Sequence, residues 1–174
     1  MKKIYYGKAV YDHKEINAVI KVLREQSLQL IDGKNVKKLQ NNICKLFGKK
    51  YGLMVNSGSS ANLLAISSLN LKRGSEIITP NLTFSTTVAP IFQLGLVPHF
   101  FGVEKNKFVA DVNQIEKCVN SKTKAIMIPN LLGNIADWKK ISSIARKYKL
   151  YVIEDSADTI GYTINSKNTG NFSD

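Results

Sequence analysis

Polar residues that could hold a phosphate follow the first apolar run of this 174-residue sequence. After Val55 the chain reads Asn-Ser-Gly-Ser-Ser-Ala-Asn, in which Gly58 permits close backbone approach and Ser59 offers a hydroxyl at a predicted helix start. Free N–H groups and the positive end of the dipole let a helix N-terminus bind phosphate. The same residues would also make an ordinary serine cap after a glycine turn. No Gly-x-x-x-x-Gly-Lys-Ser/Thr motif occurs, so the segment is not a P-loop.

An aromatic residue and three carboxylates follow two later apolar runs. The ring of Phe84 could stack on a flat ligand ring or lie in the core. Glu154, Asp155 and Asp158 end a late apolar run, where unpaired charge is costly to bury. One of them could pair with a cationic ring nitrogen such as a pyridinium, while helix capping would explain one of the three. A phosphate cradle, a stacking aromatic and a ring-nitrogen carboxylate are the parts that hold pyridoxal 5′-phosphate.

Helical and apolar patterns alternate along the chain and predict an α/β fold. Asp12 and Glu15 form a capping-box pattern before one helix, and Gly48 marks the end of the next. Asp111 and Asp137 are predicted to cap later helices. Further helices are predicted over 59–69 and 86–94, strands over 52–55, 76–79, 96–101, 125–128 and 150–153, and a hairpin over 159–170. Short apolar strands between helices indicate a mainly parallel sheet with helices on both faces, which binds ligands at the carboxyl ends of its strands.

The composition is that of a globular protein, with 44% hydrophobic and 22% charged residues. No run approaches the roughly 20 apolar residues of a membrane span, and tyrosines and charges interrupt any signal peptide. We therefore expect a soluble cytoplasmic protein without a membrane partner. Cys44 and Cys118 form no CxxC pair, and with only two histidines besides we expect no metal site.

The formal net charge of +12 comes almost entirely from lysine, since only three of the 25 basic residues are arginine. The lysines are scattered in ones and twos, which favours a solvated surface over a nucleic-acid interface. Attraction of an anionic small molecule is the second interpretation, and a basic nucleic-acid-binding module with salt-sensitive binding is the third. We expect no nucleic-acid partner.

These motifs resemble the DegT-type family of pyridoxal-phosphate enzymes, which act on nucleotide-linked keto sugars. The resemblance is carried by 55–64, 83–84, 153–158 and 169–170, in the order of the family, and it extends from Tyr6 to Asp174. It implies the large domain of the aspartate-aminotransferase type (fold type I), with a mainly parallel seven-stranded sheet. It also implies a homodimer with its sites at the interface.

The resemblance assigns a role to five residues. Gly58 and Ser59 would bind the cofactor phosphate, and Phe84 would stack on the pyridine ring. Asp155 would pair with the ring nitrogen. Asp158 would lie near the phenolic oxygen of the ring, where many family aminotransferases have glutamine.

Family members are about twice as long, and their Schiff-base lysine would fall beyond Asp174. None of the lysines in this sequence has that position, and Lys167 is predicted to be solvated in the hairpin turn. We therefore expect residues 1–174 to contain the N-terminal helices and most of the cofactor-binding large domain. The rest of that domain and a small C-terminal domain would be missing, which leaves the sheet incomplete at the C-terminus.

Three details resemble the sugar 3-dehydratase branch of the family: Asn62-Leu63-Leu64, the loop 131–134, and Asp158. In that branch histidine replaces the lysine, and pyridoxamine 5′-phosphate condenses with a 4-keto sugar that then loses its 3-hydroxyl. The alternative is a sugar aminotransferase that uses glutamate as amino donor. A third interpretation is an inactive truncated or split-gene fragment. The family implies surface-polysaccharide or lipopolysaccharide sugars.

Overall fold

Helices and strands alternate in the computed structural model, which describes residues 3–5, 7–25 and 30–174. The helices are α1 (His13–Glu25), α2 (Lys34–Phe47), α3 (Gly58–Ser68), α4 (Ser85–Gln93), α5 (Ile115–Cys118) and α6 (Trp138–Tyr148), with 3-10 turns at Val112–Gln114 and Leu131–Gly133. The strands are β1 (Glu76–Pro80), β2 (Val97–Phe101), β3 (Thr123–Pro129), β4 (Tyr151–Asp155), β5 (Thr163–Ile164) and β6 (Lys167–Asn168). Within these ranges no helix is long and apolar enough to cross a membrane.

Strands β1 to β4 form a parallel sheet in the order β2-β1-β3-β4. Successive side chains of a strand point to opposite faces, so a strand can contribute residues to the hydrophobic core on each face of the sheet. Ile78 and Ile126 pack with α5 and α6 on one face, while Ile77 and Met127 pack with α3 and α4 on the other. The sheet is therefore covered on both faces, as the sequence predicts.

The helix boundaries follow local capping, and the predicted caps are confirmed. The backbone N–H of Asp12 donates to the carboxylate of Glu15 at 2.8 Å before α1. Gly48 ends α2 with a φ of 66°, in the left-handed region that glycine adopts without strain. The carboxylate of Asp137 accepts from the N–H of Lys140 at 3.0 Å and starts α6.

The strand predicted over 52–55 is wrong. This segment has no regular secondary structure, and Leu53 is 73% exposed. Its sequence is suitably apolar, but a strand exists only when it is hydrogen-bonded to a neighbour. None of the described residues supplies that neighbour, and the parallel sheet that they form has four strands.

The hairpin is present, but its turn is shorter than predicted. Strands β5 and β6 pair antiparallel, with Ile164 opposite Lys167. Asn165 and Ser166 alone make the turn, both with positive φ, as a two-residue hairpin requires. Lys167 therefore opens β6 instead of lying in the turn, although its side chain is exposed as expected.

Gly170 packs the end of this hairpin closely against the rest of the domain. Its φ is +91°, and a Cβ atom there would lie 2.8 Å from Cδ1 and 3.0 Å from the carbonyl oxygen of Phe47. Its N–H donates to Glu154 Oε2 at 2.7 Å. The absence of a side chain thus lets the chain approach the end of α2 and the carboxyl end of β4 together.

We expect Gly170→Ala to lower the free energy of unfolding by roughly 2–4 kcal/mol, because it adds a steric clash to left-handed backbone strain. Gly161→Ala is the matched control, since Gly161 has a φ of +78° but open space around its missing Cβ. It should cost only the backbone strain, roughly 1–2 kcal/mol. Urea unfolding measures both, and equal losses would contradict the close approach.

Candidate functional site

A cavity of about 420 Å³ opens at the carboxyl ends of β3 and β4, against the first turns of α3 and α4. Parallel strands end at the same edge of a sheet, so segments far apart in sequence meet there. All five residues predicted to bind a cofactor line this cavity: Gly58, Ser59, Phe84, Asp155 and Asp158. Their roles toward a cofactor remain predictions.

The start of α3 forms one end of the cavity. The helix is capped by Ser57, whose hydroxyl accepts from the N–H of Ser60 at 3.2 Å. The capping role therefore does not fall on Ser59, and helical geometry leaves the N–H groups of Gly58 and Ser59 without acceptors inside the helix. A Cβ on Gly58 would meet nothing within 4 Å, so there is room for a ligand at this backbone. Such N–H groups and hydroxyls suit a phosphate.

Phe84 forms a wall of the cavity. It is the N-cap residue of α4, and its side chain is 67% exposed. The interpretation of Phe84 as a core residue is therefore wrong. An exposed aromatic face at a cavity wall offers a surface on which a flat ring can stack.

Asp155 is the last residue of β4, and its carboxylate is held from three directions. Oδ2 accepts from Nδ2 of Asn62 and from Oγ1 of Thr87, both at 2.9 Å. Oδ1 accepts from the N–H of Ala157 at 3.3 Å. The sequence analysis gave Thr87 no role, and it noted Asn62 only within the motif 55–64 and as a branch marker. Both donors lie far from Asp155 in sequence, so no local pattern points to them.

The three predicted carboxylates have different surroundings. Asp158 lines the cavity, and its Oδ2 accepts from the N–H of Leu132 at 2.8 Å, which ties together the loops that follow β3 and β4. Glu154 does not line the cavity. Its Oε1 accepts from Asn130 and Ser156, and its Oε2 accepts from Gly170, so this carboxylate is a structural tie.

Asn130 is a further residue that the sequence analysis missed. It follows β3 directly and is 1% exposed. Its Nδ2 donates to Glu154 at 2.9 Å and Thr159 at 3.2 Å, while its Oδ1 accepts from Nε1 of Trp138 at 2.8 Å. One amide thus joins the ends of β3 and β4 to α6 beneath the cavity. An asparagine between an apolar strand and a helix is the only sequence signal for this role.

The charged side chains that line the cavity are acidic. Two carboxylates line the cavity, and among the described residues that line it there is no lysine, arginine or histidine. Lys49 lies in a separate cavity of about 390 Å³, where burial lowers the pKa of its ammonium group and Asp174 O accepts from its Nζ at 3.0 Å. The site thus offers neutral donors at one end and a carboxylate at the other. That arrangement fits a flat phosphorylated ring with a basic nitrogen.

Comparison with known proteins gives one family for nearly the whole chain. The model of the DegT/DnrJ/EryC1/StrS aminotransferase family matches residues 10–174. The chain is 34% identical over 170 residues to a GDP-4-keto-6-deoxy-D-mannose 3-dehydratase of Yersinia pseudotuberculosis, covering 94% of this chain and 43% of the relative. It is 31% identical over 142 residues to a GDP-perosamine synthase of Vibrio cholerae, covering 82% and 39% respectively.

A solved structure shows the same fold. The GDP-4-keto-6-deoxy-D-mannose-3-dehydratase of E. coli, with bound hydrated pyridoxal phosphate, matches with a TM-score of 0.87 at 36% identity, over 95% of this chain and 44% of that one. The fold class predicted from the sequence is thereby confirmed. The chain spans less than half the length of these relatives.

We expect Asn130→Ala to lower the free energy of unfolding by roughly 1–3 kcal/mol, because it leaves the buried indole N–H of Trp138 without an acceptor. Trp138→Phe removes the same hydrogen bond from its other side. The double variant should therefore cost less than the sum of the two single variants, with a coupling of roughly 0.5–3 kcal/mol. Urea unfolding of the three variants measures this coupling, and strict additivity would contradict the network.

Proposed function

Because the chain belongs to the DegT/DnrJ/EryC1/StrS aminotransferase family, we propose that it is the N-terminal part of a pyridoxal-phosphate-dependent enzyme that modifies a nucleotide-linked keto-deoxy sugar. The observation that carries the proposal is the single cavity that collects Gly58, Ser59, Phe84 and Asp155. These residues come from three elements and match the phosphate, the ring face and the ring nitrogen of one cofactor. In this proposal the rest of the large domain and a C-terminal domain lie in the remaining length of the enzyme.

The five residues predicted to bind a cofactor each have a binding or orienting role in this proposal. Bound pyridoxal or pyridoxamine 5′-phosphate supplies an electron sink for negative charge on a substrate carbon. Gly58 and Ser59 donate hydrogen bonds to the phosphate, and Phe84 fixes the plane of the ring. Asp155 holds the proton on the ring nitrogen, and Asp158 lies beside the phenolic oxygen. The group that moves the substrate proton, a lysine or a histidine, lies beyond Asp174.

Removal of the 3-hydroxyl of a 4-keto-6-deoxy sugar is the reaction that we favour. It is supported by the names of two relatives, 3-dehydratases that act on GDP- and dTDP-linked keto sugars. It is also supported by the carboxylate of Asp158 in the cavity, where many family aminotransferases have glutamine. The name of a further relative, the lipopolysaccharide biosynthesis protein RfbH of Salmonella typhimurium, supports a sugar destined for lipopolysaccharide or another surface polysaccharide. The cytoplasmic location remains a prediction.

Amino transfer from glutamate to the keto sugar is the second candidate. It is favoured by the GDP-perosamine synthase among the relatives and by the family description. A lysine at the cofactor position of the full protein would favour this reaction, and a histidine there would favour dehydration. The third possibility, an inactive fragment, predicts that the 174-residue chain folds poorly and is poorly soluble, or that it binds a ligand without turnover.

We further propose that a second copy of the chain covers α1. No residue of this helix is buried, and Ile16, Val19 and Leu23 form an exposed apolar stripe on one side of it. An apolar stripe of this kind gains free energy when an apolar partner covers it. The homodimer implied by the family resemblance supplies such a partner.

Val19→Lys should shift the chain toward the monomer, because it places a charge in the middle of this stripe. Asn17→Lys is the control, since Asn17 is an exposed polar residue two positions from Val19 and points roughly 160° away from it around the same helix. Sedimentation velocity over a range of concentrations separates the two species. A wild-type chain that stays monomeric throughout would refute the proposed interface.

Asp155→Ala tests the proposed function directly. It should weaken binding of pyridoxamine 5′-phosphate by about tenfold or more, because a hydrogen-bonded charge pair with the ring nitrogen is lost. Glu104→Gln is the control, since it removes a carboxylate that lies outside the cavity. Isothermal titration gives both affinities. If the Asp155 variant binds as tightly as the wild type, the site assignment is wrong.

A further inference from the structure

We infer that Asn62 and Thr87 form a clamp that positions Phe84 at the face of the bound ring and Asp155 at its nitrogen. This inference rests on the proposed function, because it assigns the residues that set the geometry of the same site. Neither residue is given a role by the motifs that identify the family. Both act through Asp155 and the start of α4, so they are positioning residues.

The clamp joins three elements at one atom. Nδ2 of Asn62, on α3, and Oγ1 of Thr87, on α4, both donate to Oδ2 of Asp155 at the end of β4, each at 2.9 Å. The two donors are 8% and 0% exposed, so water does not compete freely for these hydrogen bonds. The carboxylate of Asp155 is half-buried, and two donors from buried residues at the same oxygen restrict it to one orientation.

The side-chain amide of Asn62 also holds the start of α4, the helix that Phe84 caps. Nδ2 of Asn62 donates to the carbonyl oxygen of Thr86 at 3.2 Å, in the first turn of α4. Phe84 is the N-cap residue of that helix, and its carbonyl accepts from the N–H of Thr87 at 3.0 Å. A shift of α4 would therefore move Phe84 and break a hydrogen bond to Asp155 together.

This coupling matters because a pyridine ring presents its face and its nitrogen at right angles. The face must meet Phe84 while the nitrogen, in the plane of the ring, meets the carboxylate of Asp155. Two neutral donors fix both partners without adding a charge that would compete with the ring nitrogen for the carboxylate. The clamp should therefore govern how well the site distinguishes a ring nitrogen from a ring carbon.

The experiment compares two probes on the full 174-residue chain. The first probe is pyridoxamine 5′-phosphate, and the second is its 1-deaza analogue, in which C–H replaces the ring nitrogen. The wild type should bind the first about tenfold more tightly, since only the first pairs with Asp155. Thr87→Val keeps the shape of the side chain but removes the donor, and it should reduce this preference to about twofold or less. Thr87→Ser retains the hydroxyl and should keep the preference.

A merely structural role predicts a different result. If Thr87→Val weakens both probes equally and the preference stays near tenfold, the inference is overturned. Asn62→Leu removes the other donor to the same oxygen, and a preference unchanged by this variant would also overturn it. Circular dichroism and urea unfolding establish which variants fold. If Thr87→Val does not fold, Asn62→Leu decides the question.

Failure of the proposed function gives a separate signature. A wild-type chain that binds neither probe refutes cofactor binding by this chain, and the clamp with it. A wild-type chain that binds both probes equally leaves cofactor binding intact and refutes the pairing of Asp155 with the ring nitrogen. A preference that survives in both clamp variants refutes the clamp alone.

Discussion

The alternation of side chains at the end of β4 is the constraint on which the site depends. Glu154 and Asp155 are adjacent, so they point to opposite faces of the strand. Each carboxylate would be costly to bury alone, and each finds its own donors. Glu154 accepts from Asn130 and Gly170 and ties the hairpin to the sheet, while Asp155 accepts from Asn62 and Thr87 and faces the cavity. One strand end thus serves stability on one side and, in the proposed function, ligand binding on the other.

The cavity also combines carboxylates with neutral hydrogen-bond donors. Its lining carries two carboxylates, and the donors opposite them are neutral N–H and hydroxyl groups. A phosphate held by neutral donors at a helix N-terminus gains from the helix dipole without a cationic side chain. The basic residues behind the net charge of +12 are therefore absent from the described lining of this cavity.

Features with a local cause could be predicted from the sequence. The caps at Asp12, Gly48 and Asp137 depend on residues within four positions, and each is present. The apolar strands of the sheet are also present, because continuous burial leaves a continuous apolar run. The segment 52–55 carries the same signal but no strand forms, since pairing depends on a distant neighbour that the sequence pattern does not reveal.

The site shows the same division between local and distant causes. The positions after apolar strands and the family resemblance pointed to five residues that line one cavity, but their supporting contacts were missed. Thr87 and Asn130 are ordinary residues in sequence terms, and their importance comes from partners on other elements. Ser57, rather than Ser59, is the helix cap, because α3 already begins at Gly58. Long-range hydrogen bonds are therefore the contacts that could not be predicted from the sequence.

The separation of 93 residues between Asn62 and Asp155 has a consequence for synthesis of the chain. A ribosome that adds about 5–20 residues per second needs roughly 5–20 seconds to deliver Asp155 after Asn62 has been made. During that interval α3 has no strand β4 to meet. Until β3 has been made, the apolar side chain of Ile66, which is 1% exposed in the folded domain, also lacks its partners from that strand. The nascent chain therefore exposes apolar surface before the site can assemble, and chaperone capture would protect it in that window.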